Sequence, residues 1–319
     1  MTFQECKARI KGNVVPVPGQ FNADLSLNLP AYRDHVDFLL ERGVTVLYLA
    51  LSASQFDYMT RAERLAVTRA VCEAAGGRAL VLAQPVGGGW IDEQVEEGRA
   101  MLDAGADALV VKPVGLKEGG KFFSCKYLRG GYAPQRHDDH FVGYMEVMAE
   151  GTGAPLVYHD KPFGSGLGLS LEGLERIVEI ENTVCLKVHV PDPCSMQEIY
   201  SNFAGRVAMY DGFGKTLQFW SLQWGATGRH TCWSWFDPEG DREFFAACTG
   251  GDHSRAVALV DREWPLAKAI RRTGFRGYNE VMRLCGLPGG PVRIPGEELD
   301  DAQRTMLRNA ARAVGLPVA

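Results

Sequence analysis

Thr183-Val-Cys-Leu-Lys-Val-His-Val190 is a short apolar run rich in β-branched residues, the pattern of a strand buried in a parallel sheet. Lys187 stands inside it. A lysine almost never goes fully inside a protein unless something pairs with it. Burial disfavours the ammonium form, and a neutral amine can attack a carbonyl and form a Schiff base. One run thus suggests a strand, a reaction class and the place of the reaction. The competing reading is a lysine at a strand end with its head in water. His189, two residues on, faces the same side as Lys187 and reads either as a substrate contact or as a satisfied core histidine.

The pattern of that strand recurs on both sides of it. Strand-like runs precede it at 12–17, 44–51, 78–84, 106–112 and 155–158, and follow it at 206–210 and 229–235. Helical spacing fills the gaps at 31–42, 92–104, 140–151, 170–180, 192–203 and from 218. Thr60-Arg-Ala-Glu63 is a capping box opening another helix to Ala75. Eight strand–helix units predict an α/β fold, a (β/α)8 TIM barrel over residues 1–250, with a helical C-terminal region over 251–319. An open doubly wound sheet is the alternative, but no G-x-G-x-x-G follows the first strand.

In such a barrel the chemistry lies at the C-terminal ends of the strands. That rule selects Ser52, Gln84, Lys112, Tyr158, Lys187, His189, Asp211 and Ser234. Lys187 and Tyr158 fall on neighbouring strands, an amine nucleophile beside a phenol that could move protons. His159-Asp160-Lys161 follows directly. Either His159 takes over proton transfer, since imidazole titrates near neutrality, or these loop side chains pair with each other. Lys112 can bind a carboxylate or pair with Asp211. His137-Asp-Asp-His140 offers two histidines three apart, but no partner ligand is evident. The favoured reading is that Asp138 or Asp139 caps the following helix, with no metal site. Trp233 and Trp235, alternating with Ser234 on strand eight, read as core.

Composition narrows the classes further. The net charge of −5 comes without a basic stretch, which argues against nucleic acid. No apolar run is long enough to span a bilayer. Met1-Thr-Phe-Gln-Glu-Cys-Lys7 has no signal-peptide core. The eight cysteines are scattered without C-x-x-C spacing, as expected of reduced packing residues in a cytoplasmic protein.

Several segments, in order, resemble the dihydrodipicolinate synthase / N-acetylneuraminate lyase family of class I aldolases, lyases and dehydratases. They are His35–Val44, Thr60–Arg64, Gly105–Val111, Tyr158 with Pro162 (the family's Tyr-Asn-x-Pro with one extra residue), Leu186-Lys187 and Pro291-Val-Arg-Ile-Pro295. The resemblance implies a barrel that forms a homo-oligomer, tetramer or dimer, and needs no cofactor. Lys187 would form the imine with a small-molecule 2-oxo acid, and Tyr158 would relay protons. Ser52 would be the surviving hydroxyl of the substrate loop, whose second hydroxyl is lost at Ala53. Asp211 and Gly212, at the position of a family loop, would line the pocket, while His159, Lys112 and His189 are candidates for substrate contact by their places at the strand ends.

The departures matter equally. Leu51-Ser-Ala-Ser-Gln55 replaces the family's Gly-Thr/Ser-Thr-Gly-Glu, and Val114-Gly115 replaces a Tyr-Tyr pair. Phe163–Gly166 lacks the arginine of the synthases. Dihydrodipicolinate synthesis is therefore not expected. A longer loop over 116–136, carrying lysines, arginines and aromatics, reads as a lid, a subunit contact or a solvated insertion. The expected function is a Schiff-base lyase, aldolase or dehydratase acting on a 2-oxo acid of sugar origin. The alternative is a barrel that has lost aldolase chemistry and serves as a ligand-binding or regulatory protein.

Overall fold

The computed structural model describes residues 1–86, 91–112, 116–117, 121–122, 137–160 and 169–318. Eight parallel strands close into a barrel: β1 (Gly12–Pro16), β2 (Val46–Leu49), β3 (Leu80–Ala83), β4 (Ala108–Val111), β5 (Leu156–Asp160), β6 (Thr183–Val188), β7 (Ala208–Asp211) and β8 (Gly228–His230). Each pairs with the next, and β8 returns to β1 with Gly12 opposite Gly228 and Val14 opposite His230. Closure demands glycine at this seam: a Cβ on Gly228 would lie 2.7 Å from the carbonyl oxygen of Gly12.

The helices outside the barrel are α1 (Phe3–Arg9), α2 (Leu29–Glu41), α3 (Arg61–Ala75), α4 (Ile91–Asp103), α5 (His137–Thr152), α6 (Leu171–Glu179), α7 (Pro193–Phe203), α8 (Lys215–Gln223) and α9 (Pro238–Thr249). The predicted capping box opens α3: Glu63 N–H donates to Thr60 Oγ1 at 3.2 Å, and Thr60 N–H donates back to the Glu63 carboxylate at 2.9 Å. After α9 come α10 (His253–Leu284), kinked at Gly274 with φ 59°, and α11 (Asp301–Ala313).

Four sequence expectations are corrected. Strand eight is short, because the chain leaves the sheet after His230 and makes a 3-10 turn over Trp233–Trp235. Both tryptophans are buried as expected, Trp235 by packing under α10 against Phe275 and Tyr278 and Trp233 against Phe236. Ser234 is not at the barrel mouth; its hydroxyl donates to Asp241 at 2.6 Å. Asp138 and Asp139 do not cap α5, which already starts at His137. They face α6 instead, where Asp138 accepts from the N-cap Ser170 and Asp139 pairs with Arg176 at 2.6 Å. Finally, β5 runs on to Asp160, so His159 belongs to the sheet and not to a loop.

Helix α1 had no counterpart in the sequence reading. Its capping box at Thr2 and Glu5 starts it. Cys6 and Ile10 are fully buried, and Lys7 Nζ donates to the carbonyls of Gly205 and Arg206. The helix packs against β6.

Behind β8 lies a buried cluster of four charges. Asp241 of α9 accepts from Arg229 at 2.8 Å and from Lys215 at 3.0 Å, and Lys215 also pairs with Glu263 of α10. Thr231 and Ser234 donate to the second oxygen of Asp241. The cluster ties β8, α8, α9 and α10 together.

In the C-terminal region, Arg293 stacks 4.5 Å over Phe21 and makes a bidentate pair with Glu63. Its backbone N–H donates to Gln55 Oε1 at 2.7 Å. The segment that resembles the family's C-terminal motif therefore clamps the loop after β2. Gln55 itself holds a left-handed φ of 59°, a conformation uncommon outside glycine and asparagine that needs such a clamp. The pair also holds the Glu63 carboxyl at about 2, by its hydrogen bond from Arg293. Most of loop 116–136 lies outside the described residues. Within it, Leu116–Lys117 pairs antiparallel with Lys121–Phe122. Val114-Gly115, Lys161 and Phe163–Gly166 also lie outside them.

Candidate active site

The register of the strands decides which side chains meet. Residues level with one another on adjacent strands face the same side, and neighbours along a strand face opposite sides. Lys187 is level with His159 on β5 and with Tyr210 on β7. Its amine lies 4.7 Å from the centre of the Tyr48 ring. Tyr48 is on β2, far around the barrel from β6, so the two can meet only through the interior. Lys187, His159, Tyr210 and Tyr48 therefore point inward. His230 of β8 joins them, edge-on to Tyr48 with ring centroids 5.7 Å apart.

Lys187 is 3% exposed, so the reading of an amine in water is set aside. The structure brings His159, His189 and His230 around it. The His159 and His189 rings lie 5.7 Å apart, and His189 packs edge-on against Phe213 at 4.6 Å. Burial, then the charge of Lys187, pushes both His159 and His230 well below the ordinary histidine range. Both imidazoles are accordingly neutral at neutral pH. Lys112, at the end of β4, adds its charge to the field at His159.

Several buried polar atoms of this interior find no hydrogen-bond partner among the described residues: both ring nitrogens of His159, His230 Nε2, Gln84 Nε2 and the Tyr210 hydroxyl. Gln84 is oriented by Tyr48, whose hydroxyl donates to its Oε1. Leaving a buried polar group unpaired costs roughly 1–3 kcal/mol. Such a set at one end of a barrel is what a polar ligand would satisfy. No group of three or more His, Cys, Asp or Glu among the described residues could hold a metal ion.

The other expected residues fall elsewhere. Tyr158 is level with Leu186, not Lys187, and so faces the helix layer. Asp211 is level with Val188 and Arg229 and also faces outward. Phe213 N–H donates to Asp211 Oδ1 at 2.5 Å. Burial raises its carboxyl to about 7, against the opposing pull of that hydrogen bond and of Arg229. A folded value above the unfolded one, about 3.9, means the native state binds the extra proton. That stability is fully present below about pH 4 and is lost as pH rises through 7. Asp211→Asn, which never ionises, is expected to gain up to about 4 kcal/mol over the parent at pH 8 and far less at pH 5. Urea unfolding at the two pH values checks this.

Gly212 does meet the site: a Cβ there would sit 2.3 Å from Cε1 and Nδ1 of His189. Gly212→Ala is expected to swing that ring aside and lower kcat/KM roughly 10- to 100-fold, with an unchanged circular dichroism spectrum. In the loop after β2, Ser52 is exposed and Ala53 buried. Ser54 is also buried, and its hydroxyl is used internally, donating to the Val17 carbonyl and accepting from Ala50 N–H.

Tyr48, Tyr210 and His230 were missed in the sequence. Tyr48 and Tyr210 sit inside apolar strands and carry no motif. His230 was masked by a strand drawn through to Trp235. For His159 a signal existed: counted without the extra residue, His159-Asp-Lys-Pro162 has the spacing of Tyr-Asn-x-Pro. The structure places the extra residue on β6, where the register slips between Leu156/Thr183 and Val157/Cys185.

A closed (β/α)8 barrel with polar side chains gathered on its inner wall is the frame of a barrel enzyme. The profile of the dihydrodipicolinate synthetase family matches residues 9–118 and 127–314, and the chain belongs to that family of lyases and dehydratases. It is 30% identical to a protein named probable 5-dehydro-4-deoxyglucarate dehydratase 2 of Streptomyces avermitilis, over 86% of this chain and 78% of that one. It is 27% identical to 4-hydroxy-tetrahydrodipicolinate synthase 1 of Streptomyces coelicolor, over 94% and 92%. The solved dihydrodipicolinate synthase from Oceanobacillus iheyensis superimposes with a TM-score of 0.83 at 20% identity, covering 98% of each chain; that likeness concerns the fold. No helix among the described residues is long and apolar enough to cross a membrane.

Proposed function

We propose that this chain is a Schiff-base dehydratase acting on a sugar-derived 2-oxo acid. The observation that carries the reading is Lys187: a buried amine on the inner wall of the barrel, over an aromatic face and beside neutral imidazoles. In the proposed reaction the amine attacks the C2 carbonyl, and the carbinolamine loses water to an iminium. The iminium makes the C3 proton acidic; its loss gives an enamine that expels a hydroxyl from C4 as water. The unpartnered Gln84 amide would donate to the oxygens of such a substrate, and His230 Nε2 would pair with one of its hydroxyls. The likeness to a named 5-dehydro-4-deoxyglucarate dehydratase supports the dehydratase branch. The replaced loop residues and the missing arginine argue against dihydrodipicolinate synthesis.

The test is borohydride reduction of the protein with pyruvate, 2-oxobutyrate and 5-dehydro-4-deoxyglucarate, read by intact mass and peptide mapping. A reduced adduct on Lys187, strongest with the sugar acid and accompanied by turnover, supports the reading. Folded protein that gives no adduct with any of them would leave the ligand-binding barrel as the better account. The exposed Ser52 and the internally bonded Ser54 would then mark where the chemistry was lost.

A further inference from the structure

We propose that His159, and not Tyr158, is the proton relay of the Lys187 reaction; this rests on the Schiff-base reading above. The two candidates are adjacent in sequence and cannot both face the amine. The register settles which one does: His159 is level with Lys187 and Tyr158 with Leu186. His159 is buried, and neither ring nitrogen has a hydrogen-bond partner among the described residues. A structural histidine would normally be satisfied through at least one nitrogen, as His35 is by the Trp235 carbonyl at 2.9 Å. Among the described residues, the groups whose charges reach His159 are Lys187 of β6, His189 just past its end, Lys112 just past the end of β4 and His230 of β8. That field, added to burial, keeps the imidazole in the form that can accept a proton.

The step balances without a co-reactant other than solvent. When the Lys187 amine bonds to C2, the new nitrogen carries an excess proton and the former carbonyl oxygen a negative charge. The free imidazole nitrogen takes the proton from nitrogen and hands it to that oxygen. A proton from solvent water, passed through the same imidazole to the hydroxyl, lets that oxygen leave as water while the nitrogen lone pair forms the C=N bond, so the product is the iminium and one proton has been taken up from solvent. His159 ends as it began.

The experiment compares His159→Gln, His159→Ala and Tyr158→Phe with the parent, following the rate of borohydride-trapped adduct on Lys187 and steady-state turnover. His159→Gln is expected to slow both about 10²- to 10⁴-fold, and Tyr158→Phe far less. Added imidazole is expected to restore part of the rate to His159→Ala, which a purely structural histidine would not allow. Parent protein that forms the adduct while Tyr158→Phe loses it and His159→Gln keeps it overturns this inference and leaves the Schiff-base reading standing. Parent protein that forms no adduct overturns both.

Discussion

Lys187→Ala is expected to form no borohydride-trapped adduct and to lose at least about 10³-fold in turnover, since the nucleophile of a covalent mechanism is removed outright. Folding should survive. The lysine makes its 4.7 Å contact to the Tyr48 face in a polar part of the interior, and alanine removes that amine. Lys187→Arg is the sharper comparison. It places a permanent charge near Tyr48 and cannot supply a neutral amine. If either variant turned over at the parent rate, the covalent mechanism would be wrong. Circular dichroism and size-exclusion profiles separate loss of chemistry from loss of fold.

The largest expected effect on stability lies elsewhere, at Asp241. Its side chain is fully buried between Arg229 and Lys215. Burial alone would raise its carboxyl, but the two cations outweigh it and hold the group well below the usual range. Asp241→Asn strands both cations against Glu263 alone and turns a double acceptor for Thr231 and Ser234 into a mixed group. Removing one partner of a buried pair costs about 3–5 kcal/mol, a large share of a typical folding free energy of about 5–15 kcal/mol. The sign with pH follows. A depressed folded value gives stability that is present above the unfolded value of about 3.9 and lost as pH falls below it. The gap between parent and variant in urea unfolding should therefore be widest near neutrality and shrink in acid. Equal midpoints at pH 7 would show that the cluster contributes nothing net.

Much of the barrel was legible because its signals are local. Thr60 and Glu63 announce α3, and apolar runs flanked by helical spacing give all eight strands in order. The Lys187 strand could be read as buried because its composition leaves no polar face. What escaped depended on parity and register, which are set between strands. An extra residue at one point flips every side chain beyond it. Placing it in β5 aimed Tyr158 at the lysine; placed in β6, where the structure has it, it aims His159 there. Asp211 was expected at the pocket from its place at a strand end, but its register, level with Val188 and not with Lys187, turns it outward. Strand eight was overdrawn because Thr231–Trp235 has strand-like residues, while its backbone follows the bonds of Trp235 to Pro16 and His35. Tertiary contacts of that kind leave no trace in a local window. Helix α1 is too short for a periodic signal and depends on what it covers.

The seam between β1 and β8 has a consequence for synthesis. Gly12 must wait for Gly228 before the sheet can close, and Lys7 must wait for the Gly205 and Arg206 carbonyls. At ribosomal rates of about 5–20 residues per second, some 200 residues take roughly 10–40 s to appear. Throughout that interval β1 exposes an unpaired edge and Val14 and Val15 have no finished core to enter. Such edges invite pairing with other chains. The nascent protein is therefore open to aggregation through its earliest strand until β8 arrives.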